Sequence, residues 1–222
     1  MCGRYTITTD PAALAQRFAA ELAGEPTGPR YNAAPTQRLP VVLRDAGGRR
    51  IDVFRWGLIP HWAADPAIGN KMINARAETL AQKPSFREAF RKRRCLVAAD
   101  GYYEWQKTAD GKIPMRFVMN DEAPFAFAGL WETWREGEEA LRSFTIITTS
   151  ANALTAPIHN RMPAILRPEH EAAWLDPATD PLDLHAMLLP YPEDAMRVYA
   201  VSRSINTPSN DTPDLIRPIN SL

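Results

Sequence analysis

A cysteine directly after the initiator methionine is the first residue of this sequence with unusual chemistry open to it. Once Met1 is removed, Cys2 carries a free α-amine, pKa about 8, beside a thiol, pKa about 8.5. An amine of that strength keeps a neutral, nucleophilic fraction at pH 7 that a surface lysine lacks. It condenses with an aldehyde to an imine, and the neighbouring thiol closes the imine to a thiazolidine. The amine alone gives a reversible Schiff base; the thiol makes the product long-lived. The plainer reading is an ordinary cysteine in a disordered terminus.

Three further segments hold residues of the right types to assist such chemistry. In Ile73-Asn74-Ala75-Arg76-Ala77-Glu78-Thr79, Asn74 offers a donor and an acceptor that can hold an oxygen as charge develops. Arg76 there is a phosphate fork. The same residues also suit a capped turn leading into a helix. In Asp100-Gly101-Tyr102-Tyr103-Glu104-Trp105, strand alternation puts Tyr102, Glu104 and Gln106 on one face, with Tyr103 and Trp105 on the other. A carboxylate among aromatics has its pKa pushed up by desolvation, toward values useful for proton transfer. A strand-edge glutamate in a salt bridge fits equally. In Pro157-Ile158-His159-Asn160-Arg161-Met162-Pro163, His159 lies between prolines, on backbone that cannot be regular helix or central strand. It is placed as a general acid or base near neutral pH, or as a structural hydrogen-bonder.

The elements that must position these groups follow from pattern. Asp10-Pro11 opens a helix with Leu14, Phe18 and Leu22 on one face. Residues 24–38 read as a long loop. Leu39–Arg44 and Arg50–Trp56 form a hairpin around Gly47-Gly48, and residues 57–71 are irregular. Ser85 and Glu88 make a capping box that starts a short basic helix reaching Arg94. Strands follow over Cys95–Ala99, Tyr102–Gln106, Ile113–Met119, Pro124–Trp131 and Ser143–Thr149. Helices cover Pro168–Leu175 and Pro181–Leu189, and a late strand covers Arg197–Ser202. The tail from Asn206 wraps the surface in turns. This mix is α+β, with strands dominating the middle.

Bulk properties exclude several classes. With 222 residues and no composition break, one domain with a real core is expected. The 26 basic and 26 acidic side chains cancel, so a nucleic-acid site must come from local charge segregation. Twenty prolines against 11 glycines argue for stiff irregular connections. No run of apolar residues is long enough for a membrane span. Two cysteines make neither a disulfide framework nor a zinc site, so a reducing cytoplasm is the expected compartment. Cys95 starts an apolar strand and reads as core, and His170 and His185 read as structural. No metal and no cofactor is expected.

The chain resembles the SOS response-associated peptidase (SRAP) domain family. The resemblance rests, in order, on Met1-Cys2-Gly3-Arg4, Tyr31-Asn32-Ala33-Ala34-Pro35, Trp56-Gly57-Leu58-Ile59-Pro60, the Ile73–Thr79 and Asp100–Trp105 segments, Ala128-Gly129-Leu130-Trp131 and His159-Asn160-Arg161-Met162-Pro163. It implies a single domain over 1–222, a twisted β-barrel-like core of mainly antiparallel strands covered by short helices. It implies autocatalytic loss of Met1, then a lyase-type reaction that crosslinks Cys2 to the ring-opened sugar at abasic sites in single-stranded DNA. The crosslink shields the lesion during the DNA damage (SOS) response.

Carried over residue by residue, Cys2 is the nucleophile and Asn74 orients it and the sugar oxygens. Glu104 promotes ring opening and proton transfer, and His159 assists imine formation or its reversal. Arg4, Arg76 and Arg161 are phosphate contacts. Pro35 and Trp62 are the wedge where bases unstack, and Asn32 and Thr148 complete the DNA-contact set. Some members carry paired tryptophans where this sequence has His61-Trp62, and residues 63–71 form an insertion beside them. A monomer in the cytoplasm, associated with the nucleoid during DNA damage, is expected. Two other activities stay open: a cysteine peptidase acting on other proteins, and a non-covalent single-stranded DNA-binding module.

Overall fold

Alternating apolar residues make most of the middle of this chain into strands, and the computed structural model, which describes residues 2–23 and 28–219, shows how they close on themselves. In chain order the strands are β1 (Tyr5–Ile7), β2 (Ala20–Leu22), β3 (Arg30–Ala33), β4 (Arg38–Asp45), β5 (Gly48–Trp56), β6 (Asn74–Arg76) and β7 (Arg94–Ala99). They continue with β8 (Gly101–Thr108), β9 (Gly111–Met119), β10 (Phe125–Glu136), β11 (Glu139–Ser150), β12 (Arg161–Pro163), β13 (Ile165–Leu166) and β14 (Met196–Ala200). The helices are α1 (Pro11–Phe18), α2 (Arg87–Lys92), α3 (Glu171–Leu175) and α4 (Pro181–Ala186).

The neighbours β11-β10-β7-β4-β5 form a ladder, and β5 pairs back onto β11 with Arg55 opposite Ser143 and Trp56 opposite Phe144. That last pairing closes a five-stranded barrel. It is parallel, whereas the hairpins feeding it are antiparallel. The interior is aromatic: Tyr5 meets Trp56 and Phe127 edge-on at 5.2 and 5.8 Å between ring centroids. A second sheet in the order β14-β9-β8-β1-β3 carries the amino terminus against this core. The expected α+β domain with a barrel-like core and short covering helices is what the chain forms.

Local signals worked where nothing competed with them. Asp10 caps α1 by accepting from the N–H groups of Ala12 and Ala13. Leu14 and Phe18 are buried as the helical spacing required. Leu22 departs from that stripe. Ala19 turns left-handed at φ 48° and ends the helix, and the chain then enters β2, leaving Leu22 42% exposed beside Ile51.

Other expectations need correction. The loop over 24–38 holds a strand, because Arg30–Ala33 pairs with β1; residues 24–27 lie outside the described residues, as do 220–222 of the tail. The Ser85 capping box does not form. Phe86 is the cap residue of α2, and the N–H groups of Phe86 and Arg87 already donate to the Lys83 carbonyl at 2.9 Å each. Arg94 sits in β7 beyond that helix, buried and donating to the carbonyls of Phe90, Arg91, Trp174 and Asp176. The helix expected over 168–175 begins as a 3-10 turn, and the next one ends at Ala186, short of Leu189. No helix among the described residues is long and apolar enough to cross a membrane.

Candidate active site at the amino terminus

Cys2 precedes β1, which lies between β3 and β8. This placement draws the terminus into the molecule: Cys2 is fully buried and part of the main core cluster. The disordered-terminus reading is therefore corrected for Cys2. Met1, whose loss the chemistry requires, lies outside the described residues. The thiol donates weakly to the Arg4 carbonyl at 3.8 Å. Burial, and after it the negative charge of Glu104, push the thiol pKa well above its ordinary value, so it is held as the neutral S–H.

Asn74 opens β6, a short strand that exists because β11 offers it a parallel edge, with Asn74 opposite Ile146. A strand followed by a 3-10 turn at Ala77–Thr79 replaces the turn-into-helix alternative. From there the Asn74 Nδ2 donates to the carbonyl oxygen of Cys2 at 2.8 Å. Its Oδ1 is buried with no hydrogen-bond partner among the described residues. Asn74 thus fixes the Cys2 backbone and keeps an acceptor in reserve beside it.

Glu104 lies on β8 and shares a face with Tyr102, as alternation required; both side chains are buried. Desolvation raises the Glu104 pKa, and nearby positive charge, His159 included, works against that rise. Tyr102 stacks on Phe117 at 4.7 Å, and its hydroxyl meets Thr155 Oγ1 at 3.3 Å. Thr155 in turn accepts through its carbonyl from the N–H of His159 at 2.9 Å, so the tight turn bearing His159 is tied to the Glu104 strand. The N–H of Arg161 lies 3.0 Å from His159 Nδ1 and the Arg161 carbonyl 3.2 Å from the same nitrogen, so the backbone of Arg161 holds the ring at Nδ1. Glu104 and His159 line one open cleft of about 600 Å³.

Cys2, Asn74, Glu104 and His159 are therefore brought together from four separate parts of the sequence. The DNA-contact set divides. Trp62 is 53% exposed and Arg76 is exposed without an ion pair among the described residues, so both present free surface. Pro35 is half-buried. Arg4 donates to Asn32 Oδ1 at 2.9 Å and to the Ile205 carbonyl at 3.0 Å. Asn32 is fully buried, and its Nδ2 donates to the carbonyls of Ile205, Thr207 and Asn210. It latches the carboxy-terminal segment to β3. Thr148 is also fully buried, with its hydroxyl on the Ala75 carbonyl. Arg161 grips Glu78 through both terminal nitrogens, at 2.5 and 3.0 Å, and the Thr148 carbonyl at 2.6 Å.

One relationship was missed by sequence reasoning. The loop with Trp62 is anchored by its own small core of Ile59, Ala63 and Trp134, with Trp134 Nε1 donating to the Ala63 carbonyl at 2.7 Å. At the loop's base Gly57, at φ 113°, faces Gly69 so closely that a Cβ on Gly57 would lie 2.5 Å from the Gly69 oxygen. Two glycines at the ends of a Pro-rich irregular stretch are the signal that could have revealed it.

Comparison with known proteins gives concordant results. A family model described as SOS response associated peptidase (SRAP) matches residues 1–208. The abasic site processing protein YoqW of Bacillus subtilis is 45% identical, covering 97% of this chain and 99% of its own length. The abasic site processing protein HMCES of Gallus gallus is 34% identical over 86% of this chain and 66% of its own length. A crystal structure of a protein from Bacteroides thetaiotaomicron superimposes with a TM-score of 0.91 at 30% identity, covering 99% of this chain and 100% of that one.

Proposed function

Because this chain belongs to the SOS response associated peptidase (SRAP) family, we propose that it captures abasic sites in single-stranded DNA as a covalent thiazolidine on Cys2, after removal of its own Met1. The relatives named for abasic-site processing support the substrate class. The observation that carries the chemistry is convergence: the buried Cys2, its carbonyl held at 2.8 Å by Asn74, lies within reach of the charge of Glu104, which with His159 lines an open cleft.

The reaction runs in balanced steps. Hydrolysis of the Met1–Cys2 peptide bond consumes one water and frees the Cys2 amine, with Glu104 passing a proton to the departing nitrogen. The abasic sugar, mostly a closed hemiacetal, opens when a base takes the anomeric hydroxyl proton and an acid returns one to the ring oxygen. Glu104 suits this shuttle, because burial raises its pKa above the ordinary carboxylate value, which favours a carboxyl that gives a proton as well as accepting one. The amine adds to the aldehyde carbon and water leaves, giving an imine. His159 moves protons on and off the carbinolamine oxygen. The thiol sulfur then adds to the imine carbon, its proton passing to nitrogen, and the thiazolidine ring closes. Asn74 acts through position, keeping amine and thiol aimed at one carbon. Arg4, Arg76, Trp62 and Pro35 guide the strand toward this point. The protein acts as a monomer in the cytoplasm, beside the nucleoid, and shields the lesion from cleavage and error-prone bypass.

The test is a denaturing gel of protein incubated with single-stranded DNA carrying one abasic site. A heat-stable band is expected for the wild type and its loss for Cys2→Ala. Identical DNA behaviour of the two proteins would leave a non-covalent binder, and Cys2-dependent cleavage of an added peptide would favour the peptidase.

A further inference from the structure

The cleft of Glu104 and His159 continues past the chemistry along the edge of β8. Backbone groups alternate sides along a strand, so the edge can be assigned from its partners. Tyr103 donates its N–H to the Arg4 carbonyl at 3.0 Å, on the side of β1. Trp105 pairs with Pro114, which has no N–H and whose carbonyl accepts from Val201 at 3.0 Å on the far side of β9. Trp105 and Lys107 therefore turn their N–H groups away from β9, toward the side of β1. The pairing with β1 ends at Tyr102, and among the described residues no strand pairs with that side past Tyr103. The opposite wall of the cleft is Pro157 to Asn160.

At the end of this edge two exposed lysines stand directly opposite each other, Lys107 and Lys112, both lining the cleft. Like charges facing across a strand pair destabilise it, which an anion between them relieves. Among the described residues neither lysine makes an ion pair. In a chain whose net charge is zero, this pair is local segregation of positive charge.

Resting on the abasic-site reading above, we infer that the Trp105–Lys107 edge with Lys112 is a phosphate track for the DNA strand flanking the lesion. The backbone N–H groups and the two ammonium groups donate to successive phosphates, and the lesion sugar sits by Glu104. A peptide strand would pair with the same edge, but two facing lysines select the polyanion.

The experiment uses the full chain and single-stranded DNA bearing a tetrahydrofuran lesion analogue, which binds without reacting. Affinity is measured against salt for wild type, the double variant Lys107→Gln/Lys112→Gln and Lys107→Arg/Lys112→Arg. Each lost phosphate contact lowers the slope of log affinity against log salt by about 0.7, so the glutamine pair should lower it by about 1.4. The arginine pair should restore it. The wild type is also incubated with true abasic DNA and read for the covalent adduct. An unchanged slope overturns the track and leaves the lysines as guards of a strand edge. A wild type that never crosslinks overturns the abasic-site reading instead, and the two failures are told apart.

Discussion

The side-chain amide of Asn74 donates to the main-chain carbonyl of Cys2 at 2.8 Å, joining residues 72 positions apart. Nothing else in the described structure so directly fixes the backbone of the residue that must react. The bond sets the direction in which amine and thiol leave the Cα of Cys2.

Asn74→Ala is expected to slow crosslinking tenfold to about a hundredfold, the scale set by small misplacements of a reacting group. Asn74→Asp should be at least as slow, because its carboxylate faces the Cys2 carbonyl. Single-turnover rates on abasic single-stranded DNA decide this. A wild-type rate in both variants would remove Asn74 from the account.

Glu104→Gln should slow crosslinking far more than it weakens DNA binding, since shape is kept and proton transfer is lost. It also carries a stability signature. A folded pKa raised by burial means that the native state binds more protons than the unfolded state, from the ordinary glutamate value up to the raised one. Stability contributed by the protonated carboxyl is full below the ordinary value and falls as pH rises through that window. The glutamine variant should lose this fall, so its melting temperature relative to wild type should improve as pH rises. Thermal melts across pH test it; parallel curves would show that Glu104 ionises freely.

Asn32→Ala should cost about 1–3 kcal/mol of stability, because it removes the buried donor that ties the carbonyls of Ile205, Thr207 and Asn210 to β3 and takes away one of the two acceptors of the Arg4 guanidinium. The salt dependence of DNA binding should stay as in wild type. A reduced salt slope with unchanged stability would instead make Asn32 a part of the DNA contact.

Trp62→Ala should leave the melting temperature nearly unchanged, since the ring is 53% exposed. Binding of single-stranded DNA should weaken by about 1–3 kcal/mol, the worth of one base stacked on an aromatic ring. Equal affinity would place the strand elsewhere.

Much of this arrangement was legible from the residues alone. The β4–β5 hairpin, the Asp10 cap, the strand face shared by Tyr102 and Glu104, and the burial of Cys95 follow from short-range pattern. Barrel closure does not, because Ser143 meets Arg55 in a parallel pair with no local signature. The strand at Asn74 was hidden for the same reason: β11 imposes it. At Arg161 the family resemblance implied a phosphate contact, and the fold adds a partner with no local signature, Glu78 against both terminal nitrogens. The latch at Asn32 was not legible, because the segment it holds lies some 175 residues away.

Capture of the abasic sugar by Cys2 is read from the intact mass of the purified protein, before and after incubation with single-stranded DNA bearing one abasic site. The expected result is a protein lacking Met1, and then an adduct equal to protein plus DNA minus one water, stable to heat and absent in Cys2→Ala. A protein that keeps Met1, or one that forms the same adduct without the Cys2 thiol, would contradict it.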